Sequence, residues 1–210
     1  MARRGHRVYG FDICQGSVDF AHQVMENNGL PGVYWQADMR EFAITSAITC
    51  DIAFNLVSSF KHLYTKEDVR RHMTCMHAVL KTGAIYVIGL HIVDYQDRKG
   101  EREQWLAQRD GVTVRATIVS SCPDILTCTE HVRIRMIVRD EQKGSKDVKY
   151  LETSFEMRTY NCAELFELVS SINNIFELVE CFDFAHDITK PRDPRLNPCQ
   201  LAVILVLRAI

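Results

Sequence analysis

Four polar positions in the first half of the chain each stand where an apolar run ends, and their types suit a nucleoside. Asp12 follows Arg7–Phe11, Asp38 follows Val33–Ala37, Asn55 closes the run that starts at Asp51 with Ser58 and Ser59 just beyond, and His91 ends the run from Ala84. A carboxylate at the first place can accept two hydrogen bonds from a ribose diol, and one at the second can accept from an adenine amino group. A lone strand-end Asp is ordinarily a turn former or helix cap. Four polar ends in succession are harder to dismiss, because open α/β sheets bind ligands outside the carboxyl ends of their strands. His62 and His91 are candidates for a general base, against the plainer readings of a surface histidine and a strand-end cap. Ser59, Arg158 and Tyr160 are candidates for substrate contact. Arg158 could grip a carboxylate bidentately, or simply form a structural ion pair. Arg133, Arg135 and Arg139 alternate with apolar residues and read as a solvated sheet face rather than an anion site.

The elements that must carry these residues follow from periodicity. Ser17 can cap a helix whose Phe20, Ala21, Val24 and Met25 share a face, stopped by Asn28-Gly29. Thr65-Lys66-Glu67-Asp68 reads as a capping box, opening a helix with Val69, Met73, Met76 and Leu80 in one stripe and ending at Lys81-Thr82-Gly83. The run from Ala84 to His91 is apolar nearly throughout, as a strand covered on both faces should be. Strand and helix alternate, which predicts a parallel, doubly wound sheet. The rhythm changes at Asp94. A polar stretch predicts a short helix near Trp105, and then Val112–Ser120, Glu130–Asp140 and 147–160 show period-two alternation separated by turns such as Lys143-Gly144-Ser145. They predict an antiparallel insertion with one wet face. The α/β pattern resumes at Asn161, with Leu165, Phe166, Val169 and Ile172 as an apolar stripe, then a strand over Phe176–Phe184, a proline-bearing loop over 185–199 and a last strand over 200–208. That loop lacks the period of a crossover helix, so the last strand should run antiparallel. Residues 1–93 and 161–210 thus form the core, and 94–160 an insertion covering the substrate side.

Composition narrows the partners. A formal net charge of −2 gives no electrostatic case for nucleic acid or an anionic membrane. No apolar run reaches the roughly 18 residues that a membrane helix needs. The eight cysteines include no C-x-x-C pair, which predicts reduced thiols in a cytoplasmic protein and no metal site.

With the elements in place, several segments match one family in order and spacing. Arg7-Val-Tyr-Gly-Phe-Asp12 before a helix, Gln36-Ala37-Asp38-Met39-Arg40, Asp51-Ile-Ala-Phe-Asn55 with Ser58-Ser59-Phe60, and Leu80-Lys-Thr-Gly83-Ala-Ile-Tyr-Val-Ile together resemble successive motifs of class I S-adenosylmethionine-dependent methyltransferases. The resemblance runs to about His91 and resumes with the helix after Asn161 and the closing strands. It implies a Rossmann-like doubly wound sheet with an antiparallel C-terminal strand, S-adenosylmethionine as cofactor, and methyl transfer to a nitrogen or oxygen of a small molecule. It implies that Asp12 binds the ribose hydroxyls. Ala37, Asp38 and Met39 would line the adenine, and Asn55 and Leu56 would lie beside the methionine part and the methyl group. One departure stands out: the family's first strand and glycine-rich loop would precede Ala2, so a chain truncated there, with impaired activity, is expected. A non-catalytic binding relative and a nicotinamide-dependent oxidoreductase are the alternatives. Ala37-Asp38-Met39 and the closing strand pair count against the second.

Overall fold

The computed structural model describes residues 1–42, 49–96, 99–140, 148–184, 187–191 and 202–210. Strand β1 (Tyr9–Asp12), helix α1 (Gln15–Asn27) and strand β2 (Val33–Gln36) form one βαβ unit, the two strands pairing in parallel with Asp12 opposite Gln36. The helix starts earlier than Ser17 suggests. Cys14 is its N-cap, and the amides of Ser17 and Val18 bond to the Cys14 carbonyl. Its inward face also differs from expectation: Val18, Ala21, His22 and Met25 turn inward, whereas Phe20 and Val24 are 60% and 37% exposed. The expected stripe mixed two faces, of which only Ala21 and Met25 are the covered one.

The main sheet has the order β3-β4-β10-β9, from strands Cys50–Asn55, Leu80–His91, Ala202–Ala209 and Phe176–Phe182. Strands β3 and β4 are parallel, and β10 runs antiparallel to both β4 and β9. Most of the 185–199 loop, with 200 and 201, lies outside the described residues. Helix α2 (Lys66–Ala78) opens with a capping box between Thr65 and Asp68, and α3 (Cys162–Ser171) with one between Asn161 and Glu164. In each, the cap side chain and the third-residue carboxylate satisfy backbone donors that the first turn leaves unpaired. Val69, Met73, Met76 and Leu80 are all buried, as their spacing requires. In α3 the buried stripe is Leu165, Leu168, Val169 and Ile172, while Phe166 is turned outward. Helix α2 ends at Ala78 rather than at Lys81-Thr82-Gly83. Gly83, at φ 81, lies in the irregularity where the β3 register jumps from Cys50↔Leu80 to Ile52↔Ile85.

Strands β5 (Arg102–Arg109), β6 (Val112–Ser120), β7 (Thr129–Asp140) and β8 (Val148–Arg158) make a separate antiparallel sheet in sequential order. The helix expected near Trp105 is strand β5. Its residues favour helix locally, but pairing Trp105 with Ala116 across a hairpin overrides that preference. Asp110-Gly111, at φ 50 and 78, makes the two-residue turn, and Asp-Gly is a hairpin signal that the composition of the segment masks. The Lys143-Gly144-Ser145 spacer lies outside the described residues. Among the described residues no hydrogen bonds join β1 to β3, so each has one edge without a strand partner. Beside that edge Ile52, Phe54 and Leu56 are 39%, 50% and 42% exposed.

Candidate functional site

Parallel pairing brings the ends of β1 and β2 together. The amide of Ala37 bonds to the Asp12 carbonyl at 3.0 Å, so Asp12 and the Ala37-Asp38-Met39 segment emerge side by side. Asp12 is exposed, and its Oδ1 accepts the amide of Cys14 at 2.8 Å. That bond fixes the carboxylate at the start of α1 and leaves Oδ2 for a diol. Asp38 is held more tightly. Its Oδ1 accepts the Arg40 amide at 2.8 Å, and the Arg40 guanidinium bonds both carboxylate oxygens, at 2.5–3.1 Å. Chiefly through those side-chain bonds, Arg40 holds the Asp38 carboxyl below the usual carboxylate range. The carboxylate is charged and acceptor-only, but its present donor is Arg40, 43% exposed, which an adenine amino group would have to replace.

Behind Met39 runs a buried polar chain that its sequence spacing does not reveal. The Met39 carbonyl accepts from Nδ1 of His72 at 2.8 Å, and Nε2 of His72 lies 2.7 Å from the Tyr86 hydroxyl. A carbonyl can only accept, so Nδ1 carries the proton and Tyr86 donates to Nε2. His72 is 1% exposed and Tyr86 fully buried. Burial lowers the His72 pKa despite the carbonyl bond, and raises that of Tyr86, with nearby Asn55 a lesser, opposing cause. The Asn55 Oδ1 is buried with no partner among the described residues. An orphaned buried acceptor at a strand end fits a ligand that brings a donor. The residues present therefore suit an adenosine and an amino-acid group: Asp12 and Asp38 on one side of the open edge, Asn55 on the other.

The remaining candidates separate. Ser58 is 7% exposed and bonded to His91, whose ring sits 4.9 Å from that of Phe184. Ser59 begins the short 3-10 turn Ser59–His62 and is exposed. His62 lies against Phe155 of β8, ring centroids 5.3 Å apart, and burial, with Lys61 as a lesser cause, lowers its pKa. Lys61 was not singled out by sequence, yet it is buried and ion-paired with Glu130 of β7. With the Tyr64 hydroxyl, which donates to the Glu156 carbonyl at 2.5 Å, it fastens the β5–β8 sheet beside the carboxyl end of β3. Arg158 faces elsewhere. It lines a cavity of about 510 Å³ between α2 and α3, with Tyr160, Val69, Leu168 and Ile172, and none of Asp12, Asp38, Asn55 or His91 borders it. There Arg158 pairs with Glu164 at 3.5 Å and lies over the Tyr160 ring at 5.3 Å. The Tyr160 phenol, pushed up to about 12 by burial, is part of the core.

Residues 1–88 match the family model described as a methyltransferase domain. The match spans 88 of the chain's 210 residues. The structural comparison extends that fold to nearly the whole chain. A S-adenosylmethionine-dependent methyltransferase from Clostridium acetobutylicum superposes with a TM-score of 0.72 at 13% identity, covering 97% of this chain and 75% of that one. CalS10, a S-adenosylmethionine-bound amino pentose methyltransferase from Micromonospora echinaspora, gives 0.61 at 15% identity over 96% and 83% of the two chains. The sugar N-methyltransferase KedS8 from Streptoalloteichus gives 0.61 at 15% identity over 99% and 82%. No curated protein sequence matches. The chain thus has the α/β fold expected, shared with these methyltransferases, with its antiparallel last strand and a separate antiparallel sheet. No helix among the described residues is long and apolar enough to cross a membrane.

Proposed function

We propose that the chain is an S-adenosylmethionine-dependent methyltransferase that moves a methyl group to a nitrogen or oxygen of a small-molecule acceptor, at the edge where β1 to β4 end and beside the β5–β8 sheet. The observation that supports this reading is the pair of strand ends, Asp12 and Asp38 emerging side by side from β1 and β2, together with the buried, unpartnered Asn55 carbonyl at the end of β3. The bound cofactor supplies an activated methyl group on sulfur, so the chain mainly binds and orients. Asp12 would accept the ribose hydroxyls and Asp38 the adenine amino group, with Ala37 and Met39 against the ring. Asn55 and Leu56 would meet the methionine part, Asn55 accepting from its ammonium. The Lys61–Glu130 and Tyr64–Glu156 contacts would hold the insertion as a wall for the acceptor, with Ser59 and His62 in the turn beside it. Arg158 and Tyr160, placed between α2 and α3, would support that wall from behind. Sugar and amino-sugar substrates named for CalS10 and KedS8 make an amino sugar the first acceptor to try. The edge that β1 and β3 leave open favours one further strand completing the sheet, and the chain's activity would be low without it. A cytoplasmic location agrees with cysteines kept as thiols. The non-catalytic alternative predicts adenosine binding without turnover.

The test is transfer of labelled methyl from S-adenosylmethionine to a panel of amino sugars, hydroxylated sugars and small amines. Label appearing in any acceptor, and lost in Asp12→Ala, is the expected result. Adenosine binding with no transfer to any panel member favours the non-catalytic reading.

A further inference from the structure

The turn that leaves β3 is strained, and its second strained residue, Ser58, is buried while Val57 is exposed. Val57 and Ser58 take the left-handed conformation, at φ 58 and 65, which a β-branched residue adopts only when its surroundings impose it. The Ser58 amide donates to the Gly89 carbonyl at 2.9 Å, and this crossing to β4 sets the turn. The product of the strain is a hydroxyl in one place. Ser58 Oγ accepts the backbone N–H of His91 at 3.1 Å and lies 3.0 Å from His91 Nδ1.

A hydroxyl has one proton and two lone pairs. The His91 amide occupies one lone pair. Among the described residues Nδ1 is the one group found within reach of Oγ besides that amide, so the arrangement that leaves no hydroxyl proton unpaired has Oγ donating to Nδ1. Nδ1 is then unprotonated in the neutral ring, and the ring proton sits on Nε2. The Phe184 ring, at 69° to the imidazole, holds its plane. Nε2 faces away from Ser58, on an exposed residue at the carboxyl end of β4.

We propose that Ser58 is a positioning residue that fixes His91 in the Nε2–H tautomer, so that His91 donates a hydrogen bond to an oxygen of the bound acceptor instead of acting as the general base. This rests on the reading of that edge as the methyl-transfer site. It assigns the acceptor a hydroxyl or carbonyl oxygen next to the atom that is methylated. A neutral amine needs no base to attack, so a donor at this place binds and orients without taking a proton.

Ser58→Gly isolates the hydroxyl, because glycine takes φ 65 without strain. The measurement is the pair of ring-nitrogen signals of His91 in a ¹⁵N-labelled sample at about pH 8, above the ordinary imidazole range. His91→Gln identifies them among the eight histidines by their loss. Expected are an unprotonated Nδ1 and a protonated Nε2 in the wild type. In Ser58→Gly the tautomer ratio should move toward Nδ1–H by roughly two- to tenfold, the effect of one hydrogen bond, with no fall in melting temperature. Ser58→Ala gives the same comparison should the glycine variant not fold. A wild-type His91 protonated on Nδ1, or a ratio unchanged by both variants, overturns the proposal. The spectra are read without cofactor or acceptor, so a failure of methyl transfer leaves this result standing, and the reverse also holds.

Discussion

At the scale of single residues, the site depends on groups that cannot change protonation without cost. His72 has a proton on Nδ1 for the Met39 carbonyl and a lone pair on Nε2 for Tyr86, so an added proton would make the buried Tyr86 hydroxyl turn from donor to acceptor. Burial keeps its folded pKa below the 6.5 of a free imidazole. Above 6.5 the ring is neutral in both states. As pH falls through 6.5 the unfolded chain takes up a proton that the folded chain refuses, and stability drops until the lower, folded pKa is passed. His62 is shifted the same way and adds to the slope. The melting temperature should therefore fall between about pH 7 and pH 5, in the range where imidazoles titrate. His72→Gln, which cannot titrate, should flatten part of that slope. Equal slopes in the two proteins would show that His72 is not the group responsible. Neither His72 nor Tyr86 was legible in the sequence, because their bonds span 33 and 14 residues and no local pattern encodes them. Asp12 and Asp38 were legible because a strand end is a local feature.

At the scale of elements, what fastens the insertion to the core is a buried ion pair. The side chains of Lys61 and Glu130 are 4% and 11% exposed. Removing one partner of such a pair strands the other charge out of water, at about 3–5 kcal/mol, whereas replacing both by apolar groups is often nearly neutral. Lys61→Met alone should lower unfolding stability by an amount in that range, and Lys61→Met with Glu130→Leu should restore most of it. Urea denaturation of the three proteins checks this, and a double variant no better than the single one would contradict it. Sequence reasoning located α2 and α3 because a capping box is written within four residues, as in Thr65 to Asp68 and Asn161 to Glu164. It located β4 and β10 by their long apolar runs. It mistook β5, where every residue is exposed and no core pattern marks a strand. Lys61, charged and flanked by Phe60 and His62, gives no sign of burial until Glu130, 69 positions later, is brought beside it.

At the scale of the whole molecule, the proposed ligand contacts are divided between two sheets that share no strand pairing among the described residues. The contacts proposed for adenosine lie with β1 and β2, on Asp12 and Asp38. The contact proposed for the amino-acid end is the single carbonyl of Asn55, across the edges that β1 and β3 leave open. Contacts on one side of a gap add little affinity for groups on the other. The direct test is titration calorimetry of this chain with adenosine and with S-adenosylhomocysteine, in the wild type and in Asp12→Ala. The account predicts that both ligands bind and compete. Their affinities should lie within about tenfold of each other, since one added hydrogen bond to a charged group contributes about 1.5–3 kcal/mol before ordering costs. Asp12→Ala should weaken both by about tenfold or more, the loss of two hydrogen bonds to a carboxylate. Binding of either ligand that is indifferent to Asp12, or S-adenosylhomocysteine bound a thousandfold more tightly than adenosine, would contradict it.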